Sequence, residues 1–248
     1  MKAGILLSVR AKATRLPDKV LKPLAGAPTV TEHLLRRLAT AAEAAVVVLA
    51  TSPDPRDDVL VYIAARVGLP AFRGSADDKL MRYRDAAITH GLDFVVVVDG
   101  DDPFVSVEHI DRLIRHACAA EGDYFVFEGL PLGAAGFGLR TSALRVVCAD
   151  RAESNTEVWG RFFADDPRFH CVRLAETDPR YARPDIRMTL DYPEDYVFFA
   201  AVAEGLAREG RDTSFGNIMD FLSRRPDVIA INQGVQEIYE QHLLKSAS

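Results

Sequence analysis

Two sets of residues in this chain have the types and spacing to act together on a phosphate. The first is a run of five cations within thirteen residues, Arg10, Lys12, Arg15, Lys19 and Lys22, directly behind the apolar stretch Ala3–Val9. Arginine offers a planar fork of donors and lysine a mobile point charge, which suits a polyanion such as a triphosphate. A solvated basic loop has the same composition. The second set is acidic: Asp99, Asp101 and Asp102 follow the apolar run Phe94–Val98, and Asp191 follows Ile186–Leu190. Carboxylates crowded at the end of a strand repel one another unless a cation sits among them, and hard Mg²⁺ takes one or two carboxylates plus phosphate oxygens. A polar turn after a buried strand is the plainer alternative. No Walker-type or dinucleotide glycine fingerprint is present, so neither a P-loop nor a Rossmann cofactor site is supported.

These residues matter because of where they fall. In open α/β sheets ligands bind beyond the carboxyl ends of the strands. Short β-branched runs predict strands at Ala3–Val9, Ala45–Ala50, Ala71–Arg73, Phe94–Val98, Tyr124–Phe127, Phe169–Leu174 and Ile186–Leu190. Apolar residues at helical spacing predict helices at Val30–Ala42, Pro55–Val67, Asp77–His90 and Val107–Ala119. This alternation is the pattern of a mostly parallel sheet with helices on both faces. The Gly-, Pro- and Ala-rich segment Leu130–Gly138 reads as a loop leading into a side lobe. The tail from Phe215 to Leu244 reads as two helices separated by Arg225, Pro226 and the apolar run Val228–Ile231. The expected organisation is one domain over 1–248, with a side lobe or dimerisation region at about 130–185 and a helical extension at about 212–248.

Composition narrows the partners. The 248 residues are 48% apolar and 27% charged, and 30 Lys+Arg against 36 Asp+Glu give a net charge of −6. With this acidic balance, and no basic stretch beyond the one basic loop that could track a nucleic-acid backbone, no nucleic-acid partner is expected. The longest apolar runs, such as Ala44–Ala50, fall far short of the ~20 residues that span a bilayer. A signal peptide in Lys2 and Ala3–Val9 is ruled against by Arg10 and the lack of a small-residue cleavage site. Cys118, Cys148 and Cys171 are odd in number and widely spaced, suggesting neither a disulfide framework nor a zinc site. A cytoplasmic protein without a membrane partner is expected. His33, His109, His116 and His170 show no ligand pattern.

The order of residues in the basic loop, Val9-Arg10 through Arg15-Leu16-Pro17-Asp18-Lys19, resembles Ala-Arg-x-x-Ser-x-Arg-Leu-Pro-Gly-Lys of the cytidylyltransferases that make CMP-activated acidic sugars. That family includes the CMP-KDO and CMP-sialic acid synthetases and the spore-coat polysaccharide type. Val9 replaces the family's Ala, Ala13 its Ser and Asp18 its Gly. Arg73-Gly74-Ser75 through Arg82-Tyr83 is similar to the spore-coat segment Arg-Gly-Ser-x-Asp-Asp-Val-Leu-x-Arg-Tyr. Asp101 matches the Asp of Gly-Asp-x-Pro, and Asp191 the first Asp of Val-Asp-Thr-Pro-Glu-Asp-Leu. Pro131-Leu132-Gly133 matches a Pro-x-Gly turn, while Asp150–Glu153 only half echoes the family's Asp-Arg-Glu-His.

The resemblance implies a Rossmann-like, GT-A-like three-layer nucleotidyltransferase fold and transfer of CMP from CTP to an acidic sugar for surface glycan biosynthesis. It implies Mg²⁺ held by Asp101 and Asp191, with Arg10, Lys19, Asp101 and Asp191 serving catalysis. Nucleotide contacts are implied for Val9, Arg10, Arg15, Lys19, Arg73, Ser75, Arg82 and Asp101. Arg187, Glu157 and Trp159 are candidates for the acceptor sugar, and a homodimer is implied by analogy. Structural alternatives stand beside several of these. Ser75 can cap a helix with Asp77 and Asp78 in its first turn, Trp159 can be core, and Arg187 can pair with a neighbour. Pro193, Glu194 and Asp195 suit the start of a helix. Asp99-Gly100-Asp101 also satisfies the Asp-x-Asp pattern of a metal-dependent glycosyltransferase, and a catalytically silent nucleotide-binding module is a third reading.

Overall fold

The chain forms seven strands among the described residues, buried at the centre and less so at the edges: β1 (Ala3–Ser8), β2 (Val47–Thr51), β3 (Ala71–Arg73), β4 (Phe94–Asp99), β5 (Tyr124–Glu128), β6 (Phe137–Arg140) and β7 (Cys171–Ala175). In the computed structural model, which describes residues 1–13, 15–151, 156, 158–236 and 238, they form one sheet in the order β3-β2-β1-β4-β6-β5-β7. All neighbours are parallel except β6, which is antiparallel to both β4 and β5. The two faces are covered separately. On β4, Phe94, Val96 and Val98 join one apolar layer, while Val95 and Val97 join the other. Burial on both faces is why the central strands read as unbroken apolar runs.

The first layer is packed by α1 (Val30–Leu38), α2 (Asp58–Val67), α4 (Val107–Ala119), α7 (Pro193–Arg208), α8 (Phe215–Ser223) and α9 (Pro226–Ile229). The second is packed by α3 (Lys79–Thr89), α5 (Thr141–Asp150) and α6 (Arg161–Ala164). From β1 the chain steps outward to β2 and β3, then returns through α3 to β4 on the opposite side of β1. That reversal opens a crevice beyond the carboxyl ends of β1 and β4, the usual ligand position in such sheets. The basic loop leaves β1 here, and Asp99 ends β4.

The structure corrects several expectations. Ile186–Leu190 is buried throughout, like a central strand, but does not join the sheet. Its backbone bonds go instead to Leu132 and to the carbonyl of Asp101. Leu130–Gly138 is not wholly loop, because β6 begins at Phe137 and is followed by α5. The region expected as a side lobe thus supplies β6 and β7 to the main sheet. Val228–Ile231 is not a separator: Val228 and Ile229 lie within α9. No helix among the described residues is long and apolar enough to cross a membrane.

Candidate active site

The basic loop is pinned where it leaves β1. The Ala11 N–H donates to Asp57 Oδ1 at 2.7 Å, and Asp57 Oδ2 accepts from the Thr51 hydroxyl at 2.9 Å, the Ser52 hydroxyl at 2.6 Å and the Ser52 N–H at 3.2 Å. Burial pushes the Asp57 carboxyl up, but these donors outweigh it and hold it below the usual range. Arg10 Nη1 donates to the carbonyl of Ala76 at 2.6 Å, tying the loop to the segment before α3. Farther on, Leu16 and Val20 are buried, and Asp18 adopts φ 55°, ψ 21° just before a short 3-10 turn at Lys19–Leu21. That is the left-handed region, which glycine enters freely and Asp more readily than most residues. Asp18 therefore takes a conformation suited to the Gly of the similar motif.

Beyond this turn the two chemical sets meet. Lys19 Nζ donates to Asp101 Oδ2 at 2.8 Å and to Asp191 Oδ1 at 3.0 Å, and Arg15 Nη2 donates to Asp191 Oδ1 at 2.5 Å. Burial alone would discharge Lys19, yet Asp101 and Asp191 push its pKa above the ordinary lysine value. Burial likewise opposes the charge of Asp191, but Lys19 and Arg15 hold its carboxyl below the usual range. Behind Asp191, Arg187 Nη2 lies 3.4 Å from its other oxygen.

Asp99, Asp101 and Asp102 each offer an oxygen within 4.8 Å of the others. Asp102 is buried, and burial together with Asp101 and Asp99 pushes its carboxyl well above the usual range against a hydrogen bond from Thr189. The Pro131-Leu132-Gly133 turn makes this packing possible. Gly133 has φ +84°, and a Cβ there would stand 2.7 Å from Asp102 Oδ1 and 2.3 Å from the Met188 carbonyl. A group of oxygen donors with no softer donor among them fits a hard divalent cation such as Mg²⁺.

Most of the residues singled out in the sequence converge on one cleft of about 590 Å³, which is lined by Val9, Arg10, Arg15, Lys19, Arg82, Asp101 and Asp191. Four others do not reach it. Arg73 is exposed and pairs with Asp58. Ser75 accepts the Asp78 N–H, while Asp78 caps α3 by accepting from Met81 N at 2.9 Å. Trp159 stacks edge-on with Tyr83, Tyr124 and Phe137 in the second layer, a core position. Arg187 is buried in a pair with Asp195 and does not line the cleft. Glu157 lies outside the described residues.

Arg82 is 1% exposed; it donates to the Ser75 carbonyl at 2.6 Å, and its Nε has no partner. Burial lowers its pKa, with Arg10 adding to the effect and Asp99 opposing it. Sequence reasoning missed Asp57, which pins the basic loop, and Lys79 and Thr189, which line the cleft. Asp57 was submerged in a helical pattern, although a carboxylate on an apolar face is itself a signal of buried donors nearby. Lys79 held an unassigned position between the matched residues.

Comparison with known proteins gives the family and the fold. The cytidylyltransferase family model matches residues 3–231. The chain is 28% identical over 228 residues to the spore coat polysaccharide biosynthesis protein SpsF of Bacillus subtilis (strain 168), covering 90% of this chain and 94% of that protein. Among solved structures it is similar to a cytidylyltransferase from Leptospira borgpetersenii, with a TM-score of 0.83 at 24% identity over 92% of this chain and 97% of that one. It is also similar to a CMP:2-keto-3-deoxy-manno-octonic acid synthetase complexed with CTP, with a TM-score of 0.62 at 16% identity over 84% of this chain and 100% of that one. The last two likenesses show the fold.

Proposed function

The chain belongs to the cytidylyltransferase family, and we propose that it transfers CMP from CTP to the hydroxyl of a 2-keto-3-deoxy acidic sugar, releasing pyrophosphate, in the assembly of a surface glycan. One observation carries the reading. Arg15 and Lys19, from the loop behind β1, meet Asp101 behind β4 and Asp191 across a single cleft. Cations that now rest on carboxylates are thereby poised to exchange them for phosphate oxygens.

Arg10, Arg15 and Lys19 hold the β- and γ-phosphates and neutralise the departing pyrophosphate, a charge-stabilising role that needs fixed donors. Lys19 is suited to it because the acidic cleft keeps it charged despite burial. Arg82, a buried guanidinium on the cleft wall, suits an acceptor oxygen of the nucleoside. Asp101 and Asp191 hold Mg²⁺, with Asp99 and Asp102 beside them. When bound, the ion neutralises phosphate charge and acidifies the attacking hydroxyl. The anomeric hydroxyl of a 2-keto-3-deoxy acid is more acidic than an ordinary alcohol, so the chain need not supply a strong base. The acidic-sugar acceptor is supported by the synthetase-like fold, and the glycan role by the spore-coat relative.

The test is pyrophosphate release from CTP, UTP, GTP and ATP with a panel of 2-keto-3-deoxy acids and Mg²⁺. CTP alone should support release, and Asp101→Ala or Asp191→Ala should lower the rate by about 100-fold or more. Turnover of nucleotide-sugars without pyrophosphate release would instead support the metal-dependent glycosyltransferase.

A further inference from the structure

We propose that Asn232, Asp195 and Arg187 form a positioning relay that fixes the orientation of Asp191, so that the turn around Gln233–Val235 sets how tightly the site holds its metal. The inference rests on the reading of Asp191 as a metal-holding carboxylate. Asp195 is fully buried and collects five donors. Its Oδ2 accepts from Asp191 N at 2.9 Å, Tyr192 N at 2.9 Å and Arg187 Nη2 at 3.1 Å. Its Oδ1 accepts from Arg187 Nε at 2.9 Å and Asn232 Nδ2 at 2.9 Å. Starting α7 needs only the backbone part of this set. The forked guanidinium and an amide from another element go beyond capping.

The surplus contacts converge on Asp191. Arg187 Nη2 also approaches Asp191 Oδ2 at 3.4 Å, and its Nη1 donates to Gln236 Oε1 at 3.1 Å. Asn232, 1% exposed, donates in addition to the Arg187 carbonyl at 3.2 Å. The two oxygens of Asp191 are thus divided. Oδ1 faces the cleft with Arg15 and Lys19, while Oδ2 faces Arg187 at the rear. Phosphates that draw Arg15 and Lys19 forward leave the rear contact in place, so Asp191 keeps its direction when its front oxygen is released. Partners behind a metal ligand orient it, and losing one commonly weakens metal binding by about 10- to 100-fold. Asn232 and Gln236 lie just past the residues that the family model matches.

The experiment measures Mn²⁺ binding by electron paramagnetic resonance in the presence of CTP, with CTP binding in EDTA and thermal unfolding recorded alongside. Asn232→Ala should weaken Mn²⁺ by about 10-fold while CTP binding without metal stays within about twofold. Gln236→Ala, at a less buried position, should shift Mn²⁺ in the same direction by less. A lower melting temperature with unchanged Mn²⁺ affinity would make the network structural only and overturn the relay. If Asn232→Ala does not fold, unchanged Mn²⁺ affinity in Gln236→Ala overturns it equally. Asp191→Ala is the control: no loss of Mn²⁺ there would overturn the underlying reading, and the relay with it.

Discussion

At Asp18 and Lys19 adjacent side chains carry separate predictions. Asp18 holds a left-handed backbone, where a β-branched residue is penalised by about 1–2 kcal/mol and glycine is not. Asp18→Gly should therefore leave thermal stability equal or slightly higher, whereas Asp18→Val should lower it by about that amount. Asp18→Gly should also tighten CTP, since it removes a carboxylate from a loop that is otherwise basic. Lys19 touches both carboxylates expected to hold metal. Without nucleotide, its ammonium and a divalent cation compete for the same oxygens. Calorimetry on Lys19→Met should show Mn²⁺ alone binding more tightly than in wild type, while CTP binds about 10- to 100-fold more weakly for want of a charged hydrogen-bond donor. If Mn²⁺ binding falls as well, Lys19 supports the metal site and does not mask it.

Elements show where a sequence is readable and where it is not. Val107–Ala119 is recovered end to end because Ser106 caps it, accepting from His109 N, and its buried residues keep helical spacing. β1 and β4 are equally legible, and with them the position of Arg10 and Asp99 at the crevice. β6 is hidden because it is four residues long and carries Gly138 where a Cβ would strike Leu113 and Phe94. Ile186–Leu190 misleads for the opposite reason. Its burial is real, since all five residues are buried, but its partners are a turn and the Asp101 carbonyl. An apolar run reports burial and is silent about the partner. The cleft cations and carboxylates were legible as types; the hydrogen bonds on Asp57 and Asp195 were not, because Ala11 and Asn232 come from distant parts of the chain and the nearer donors, Thr51, Ser52 and Arg187, are aimed at these carboxylates only by the fold. This turn also supplies a test, because Gly133 packs against both Asp102 and Met188. Gly133→Ala should destabilise the protein by about 2 kcal/mol or more, by combining a disfavoured φ with overpacking. Chemical denaturation would measure this, and unchanged stability would mean that the turn moves freely away from Asp102.

Across the whole molecule, acid stability should fall in two windows governed by residues outside the cleft. His33, on α1, packs edge-on against Phe104 at 5.8 Å. Burial, with Arg37 adding to it and the Pro103 carbonyl opposing, lowers its pKa from 6.5 to about 4. Between those values the unfolded chain binds a proton that the folded one refuses, so stability drops as pH falls from 6.5 towards 4. The full difference corresponds to about 3 kcal/mol. Glu176 follows β7 and reaches His109 Nε2 at 2.7 Å and Arg112 Nη1 at 2.5 Å on α4. Burial works against its charge, but the Asp178 N–H, His109 and Arg112 bring its pKa from 4.5 down to about 2. Its contribution is complete above pH 4.5 and is lost as pH falls towards 2. Urea unfolding at a series of pH values separates the two. Comparing each variant with wild type cancels the titration of the cleft carboxylates that both share. His33→Leu should flatten the slope between pH 6.5 and 4 and leave the lower window intact; Glu176→Gln should do the reverse. A wild-type slope retained in His33→Leu would show that His33 is protonated in the folded protein, and that the acid sensitivity of this layer arises elsewhere.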